Sequence, residues 1–259
     1  MKPIVPDLKP NLSPGASVQP GPTGGWHLEI PAGPAGSYRL AQLDDYTGRP
    51  RRHFPWRAPL VLELHARASG KSISGTWGFG FWNDPFSLSL GMGGGVRRTP
   101  ALPNAAWFFF AAPPNYLSLR DDLPAQGFLA ATFRSARLPG SLLMLSSPLL
   151  SIALLPPLAR PLRRAGRRLV YQEAASITDE VRKWHTYRLE WEEERVAFHV
   201  DGQRVLDTRV SPCGPLGLVS WVDNQYVALP PDGRFRYGTL AQKEAAWIEL
   251  EELRIYRPG

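Results

Sequence analysis

Trp184-His185-Thr186-Tyr187-Arg188-Leu189-Glu190-Trp191, followed by Val196-Ala197-Phe198-His199-Val200-Asp201-Gly202, is the stretch that decides the fold. Both runs alternate between apolar and polar residues, the period of a half-buried strand. Asp201-Gly202 then predicts a tight hairpin into 203–210, because such a turn needs positive φ and these residue types tolerate it. Working outward, Leu60-Val61-Leu62-Glu63-Leu64-His65-Ala66-Arg67 alternates as cleanly, with the leucines on one face and Glu63 and His65 on the other. Thr76-Trp77-Gly78-Phe79-Gly80-Phe81-Trp82 is a further strand whose glycines leave one side almost bare, so that a ligand or another backbone can come close. More strands are predicted at 104–112, 216–222 and 247–256. Many short strands with frequent turns, and no repeat of fixed period, point to an all-β sandwich.

A chain of 259 residues with 27 prolines and 24 glycines suits short strands joined by many turns, and 43% hydrophobic residues are ample for a core. Residues 1–22 hold six prolines and read as an extended arm, leaving 23–259 as a single domain. The single cysteine, Cys213, excludes an intrachain disulfide and reads as an unreactive loop residue. The first residues have no apolar signal core, so a cytoplasmic location is expected. The formal charge is +7, with arginine supplying 25 of the 30 basic residues. The densest cluster is Arg160, Arg163, Arg164, Arg167 and Arg168. It reads as a solvated face or as a site for an anionic surface, and no recognised nucleic-acid module accompanies it. Leu138 to Ala159 just before it is uncharged but broken by four prolines, which argues against a membrane span. Segment 138–168 is left as core, as a lid over an apolar cleft, or as a peripheral membrane contact. A partly helical apolar insertion is placed around 113–178.

Together the run from Leu62 to Arg67 with Gly75 to Trp82, the hairpin from Trp184 to Gly202, and the closing Ile248-Glu249-Leu250-Glu251-Glu252-Leu253-Arg254-Ile255-Tyr256 resemble the concanavalin A-like lectin/glucanase superfamily, especially family-16 glycoside hydrolases. The resemblance covers about half the chain. It implies a jelly-roll sandwich of two antiparallel sheets with a concave cleft. It also implies a catalytic strand carrying an E-x-D-x-x-E pattern, which should fall at Ala105 to Ala112. That stretch reads Ala-Ala-Trp-Phe-Phe-Phe-Ala-Ala and has no carboxylate. Retaining glycoside hydrolysis needs two carboxyl groups about 5 Å apart, so the chain is not expected to be a standard retaining glycosidase.

The candidate lining of such a cleft is Trp77, Trp82, Trp107, Phe109 and Trp221, with Asn224 and Tyr226 at its mouth. The parity of strand 104–112 stays open, since its apolar run offers Phe108 and Phe110 as readily as Trp107 and Phe109. Replacement acids or bases are Asp84, Asp223, Glu63 and His65. No metal-ligand spacing is present, and Gly91-Met92-Gly93-Gly94-Gly95 lacks the lysine and helix of a phosphate loop, so no cofactor is expected. Three functions follow: non-hydrolytic binding of a hydrophobic or amphipathic small molecule; an enzyme of altered acid/base chemistry (isomerisation, hydration or cyclisation) on a hydrophobic substrate; and residual carbohydrate binding or hydrolysis.

Overall fold

The alternating runs fold as antiparallel strands, and a computed structural model describes residues 3–21, 24–70, 73–85, 98–99, 101–136, 156–232 and 234–258. Two seven-stranded sheets stack face to face. The first has the order β1 (Lys9–Leu12), β4 (Leu40–Asp44), β13 (Gly217–Asp223), β6 (Thr76–Trp82), β7 (Ala105–Ala111), β8 (Gly127–Ser135) and β9 (Val170–Ser176). The second runs β12 (Gln203–Thr208), β11 (Val196–Val200), β10 (His185–Trp191), β5 (Leu60–Ala68), β16 (Ala246–Tyr256), β3 (Trp26–Ile30) and β2 (Ser17–Pro20). A small ribbon pairs β14 (Gln225–Ala228) with β15 (Arg236–Thr239). A helix, α1 (Pro156–Leu169), leads into β9.

The predicted hairpin forms as the local chemistry demands. Val200 pairs with Gln203, and the turn between them holds Asp201 at φ 50° and Gly202 at φ 78°. Between the sheets lies one continuous core. Leu62 and Leu64 of β5, Tyr187 and Leu189 of β10 and Phe198 of β11 meet Trp77, Phe79 and Phe81 of β6 and Phe108 and Phe110 of β7. Alternation along β7 therefore turns Trp107 and Phe109 to the other side of the first sheet, which settles the parity that sequence leaves open.

Two expectations need correction. The arm expected at 1–22 is not free in its described part: β1 pairs with β4 at one edge of the first sheet, and β2 pairs with β3 at an edge of the second. Prolines are tolerated there because an edge strand can spare an N–H. The region 113–178 is not wholly an insertion either. Its helix is present, but β8 and β9 within it extend the first sheet beyond β7. The stretch 138–155, Gly91 to Gly95 and the side chain of Arg160 lie outside the described residues. No described helix is long and apolar enough to cross a membrane.

Candidate functional site

The outer face of the first sheet, turned away from the second sheet, is where the sequence places the cleft. The registers assign its rows. Gln42, Trp221, Gly78, Phe109 and Leu129 lie abreast in one row; Asp44, Val219, Gly80, Trp107 and Ala131 form the next; Gly217, Trp82, Ala105 and Phe133 form a third. The outward positions of β7 are thus Ala105, Trp107, Phe109 and Ala111, with no ionisable group among them. Glycines make room for the rings. A Cβ on Gly78 would sit 2.9 Å from the Trp221 ring, and one on Gly80 would sit 2.7 Å from the Trp107 Cβ. The bare side of β6 is filled by indoles from its neighbours. Trp107 packs with Phe109, Trp221, Trp82 and Phe133 at centroid separations of 5.5, 5.5, 5.6 and 6.1 Å. These distances fall within the range in which aromatic pairs attract.

At the β7–β9 side this cluster opens into a depression lined by Trp107, Phe109, Leu129, Ala131, Phe133 and Ala174 from the sheet, and by Leu117, Ser118, Pro124 and Ala125 from the loop between β7 and β8. Gln172 and Glu173 complete the lining. Its empty space, open solvent at the mouth included, is about 360 Å³, so it is a shallow depression and not an enclosed cavity. The loop wall is held from behind. Gln172 Oε1 accepts from the Leu119 N–H at 2.9 Å, and its Nε2 donates to Ser118 Oγ at 2.6 Å. Buried Arg163 of α1 donates to the carbonyls of Ser118 (2.9 Å) and Leu229 (3.2 Å) and pairs with Asp121 at 2.8 Å. Arg167 donates to the Leu119 carbonyl and to Asp121. These two arginines act as loop anchors, which corrects the anionic-surface expectation for them; Arg164 and Arg168 are exposed.

The predicted ligand residues divide. Trp82, Trp107, Phe109 and Trp221 come together on the outer face, while only Trp107 and Phe109 line the depression. Trp77 has the opposite parity and is buried between the sheets against Phe110 and Phe128. Asn224 is wholly buried in backbone work: its Oδ1 accepts from the Arg39 N–H at 2.8 Å, and its Nδ2 donates to the carbonyls of Ser37 and Leu240. Tyr226 belongs to the separate ribbon, with its ring over Gly238.

The predicted acids do not converge. Glu63 and His65 lie on the outward side of β5 in the second sheet, where Glu63 pairs with Arg188 at 3.1 Å. Asp84 follows β6 at φ 47°, ion-paired to Arg98; burial raises its carboxyl, with Arg98 and Arg51 opposing. Asp44, near that end, accepts from Gln42, from the Tyr46 and Thr47 N–H groups and from the Thr47 hydroxyl, which leaves it no spare lone pair. Asp223 sits at the opposite end of β6. The six residue steps from Thr76 to Trp82 span about 20 Å, far more than the roughly 5 Å of a retaining carboxylate pair. The described residues contain no cluster suited to a metal.

Asp223 is a structural acid. Its Oδ1 accepts from the Thr76 hydroxyl at 2.8 Å and from the Thr76 and Gln225 N–H groups, and Tyr38 donates to Oδ2 at 3.4 Å. Trp221 Nε1 donates to the same Thr76 hydroxyl at 2.9 Å, so the acid fixes the indole through one intermediary. Desolvation lifts the Asp223 carboxyl from 3.8 to about 7, against those hydrogen bonds. A raised folded-state value means the native protein holds its proton longer than the unfolded chain. The contribution is therefore fully present below about pH 4 and is lost as pH rises towards 7. Asp223→Asn should flatten this fall, narrowing the stability difference between pH 4.5 and pH 7.5 by up to about 3 kcal/mol. Urea denaturation of both proteins at the two pH values measures it.

Sequence reasoning missed Leu117, Ser118, Pro124, Leu129, Phe133, Gln172 and Glu173. The signal available was Gly127-Phe128-Leu129-Ala130-Ala131-Thr132-Phe133, an apolar run opened by glycine that reads as a strand once it is not assigned to an insertion.

No protein-family model and no curated protein matches the chain. Solved structures do. A sialidase aligns at 12% identity and TM-score 0.47 over 97% of this chain, which spans only 17% of the sialidase's length. The carbohydrate recognition domain of Emp47p aligns at 12% identity and TM-score 0.49, covering all of this chain and 91% of that domain. The catalytic domain of an endo-1,3-beta-glucanase (laminarinase) from Thermotoga petrophila aligns at 12% identity and TM-score 0.45, covering 95% of this chain and 81% of that one. At these values the likeness is one of overall shape. The strand order and registers given above make the described chain a sandwich of two seven-stranded antiparallel sheets.

Proposed function

We propose that this chain binds an apolar or amphipathic small molecule, without hydrolysing it, in the depression against Trp107 and Phe109. The observation that carries this is the make-up of the outward face of β7, which is Ala105, Trp107, Phe109 and Ala111. Rings and methyl groups there offer contact area to a greasy ligand and no proton donor or nucleophile to a glycosidic bond. The depression is mostly apolar with a few polar groups on one side, the composition that suits partial burial of a hydrophobic molecule.

The test is a fluorescence titration with N-phenyl-1-naphthylamine, an apolar dye that brightens on leaving water. The native chain should bind it saturably, and Trp107→Ala should weaken binding by about tenfold, the scale of burying one large side chain's worth of contact. A native chain that does not brighten the dye, or a Trp107→Ala variant that binds it equally well, would sink the proposal.

A further inference from the structure

A basic surface lies beside the depression, and its chemistry is independent of the ligand proposed above. Helix α1 divides its arginines between two sides. Arg163 and Arg167 turn to the loop wall, where Asp121 pairs with both. Pro161, Arg164, Ala165 and Arg168 are exposed, and their i, i+3, i+4, i+7 spacing puts them on one helix face. Leu169 follows at 41% exposure and Tyr171 at 60%.

The β14–β15 ribbon brings a second basic stretch close to this helix. Arg163 donates to the Leu229 carbonyl at 3.2 Å, and the adjoining Ala228 pairs with Arg236. The run Arg234-Phe235-Arg236-Tyr237 interleaves cations with rings. Arg234 and Arg236 are exposed, Tyr237 is 44% exposed, and the Phe235 and Tyr237 rings lie 5.6 Å apart.

The charges of this corner do not cancel. Among the described residues, the carboxylates of α1, the ribbon, the β7–β8 loop and β9 are Asp121, Asp122, Glu173 and Asp232. Arg163, Arg167 and Arg120 pair with the first three. Arg164, Arg168, Arg234 and Arg236 have no ion pair among the described residues. Asp232 alone is left to oppose them, and its Oδ1 accepts from the Arg234 N–H at 3.0 Å. On β8, exposed Arg134 stands opposite Tyr171 and adds one more cation.

Surplus positive charge draws an anionic partner. Exposed Leu169, Tyr171 and Tyr237 among the arginines suit a partner that is charged outside and apolar just beneath, as a lipid headgroup layer is. Tyrosine is at home at that boundary. Aliphatic Leu169 favours lipid over a nucleic acid, whose bases engage rings.

We propose that the outer face of α1 and the adjacent ribbon dock on an anionic lipid bilayer as a peripheral contact. The test is sedimentation of the full chain with vesicles of equal parts phosphatidylserine and phosphatidylcholine, beside vesicles of phosphatidylcholine alone. The native chain should sediment with the mixed vesicles at least about tenfold more strongly than with the neutral ones, and added salt should release it. Arg164→Gln/Arg168→Gln should weaken this partitioning roughly twenty-five-fold, each arginine near a charged membrane being worth about fivefold. Arg234→Gln/Arg236→Gln should act likewise. Arg164→Lys/Arg168→Lys should stay within about twofold of native, because a headgroup layer reads charge and not the guanidinium fork.

Equal sedimentation with both vesicles, or none with either, would overturn the proposal. So would partitioning that survives either glutamine pair, or release of the protein from the vesicles by an oligo(dT) strand at equal phosphate concentration. The native-chain comparison stands whether or not the variants fold, and failure here leaves the dye-binding test of the depression untouched.

Discussion

Truncating Phe108 to alanine is expected to lower the unfolding free energy by about 3–5 kcal/mol, the usual range for removing a fully buried phenylalanine. Phe108 is 1% exposed, with its ring 5.0 Å from that of Tyr187, 5.2 Å from Phe198 and 5.5 Å from Phe79. Those partners belong to both sheets, so the void would open at the centre of the sandwich, where neighbours collapse least readily. The adjacent residue should behave differently. Phe109→Ala empties a position that borders the depression, so its stability loss should be smaller, on the order of 1–3 kcal/mol, while dye binding should fall. Urea unfolding curves with unchanged slope would give the two values. Equal losses would mean that the alternation assigned to β7 is wrong.

Gly80→Ala is expected to cost about 3 kcal/mol or more, through overpacking combined with a forced backbone conformation. Gly80 holds φ 147°, and a Cβ built on it would lie 2.5 Å from the Ala106 carbonyl oxygen and 2.6 Å from the Trp107 Cα. Both obstacles are backbone of β7, which cannot swing aside as the tip of a side chain can. Relief would require β6 and β7 to separate, carrying Trp107 out of register with its ring partners. Dye binding should therefore fall together with stability. Gly166→Ala, within α1, is the internal control: among the described residues an added Cβ there would meet only Leu119, at an ordinary 3.6 Å. It should stabilise by about 0.5–1 kcal/mol, since alanine loses less backbone freedom in a helix than glycine does. Thermal unfolding of the pair should show shifts of opposite sign.

Much of the sandwich is legible in the chain because its strands bury one face. The alternation of β5 and β10 fixes which leucines and aromatics point inward, and Asp201-Gly202 fixes the turn that registers β11 on β12. Strand β7 is different. Its two faces meet two separate apolar clusters, so the chain carries no polar residue there to mark the outside. The clue lies on the neighbouring strand: Gly78 and Gly80 alternate with Trp77, Phe79 and Phe81, and small residues on one face of a strand leave space for large ones beside it. Asp84, Asp223 and Asn224 sit among aromatics in the sequence and so look like a cleft mouth. In three dimensions their polar atoms are consumed by Arg98, Thr76 and backbone partners, pairings set by contacts distant in the chain. The arginines of α1 mislead for the same reason, since the carbonyls that Arg163 satisfies lie 45 and 66 residues away in sequence.

The most direct measurement is mass spectrometry of an organic-solvent extract of the purified full chain, run beside Trp107→Ala. The native protein should yield an apolar or amphipathic compound in a fixed ratio to protein, and the variant should yield much less of it. An empty extract from native protein that instead binds oligosaccharides, or releases reducing sugar from them, would contradict the account.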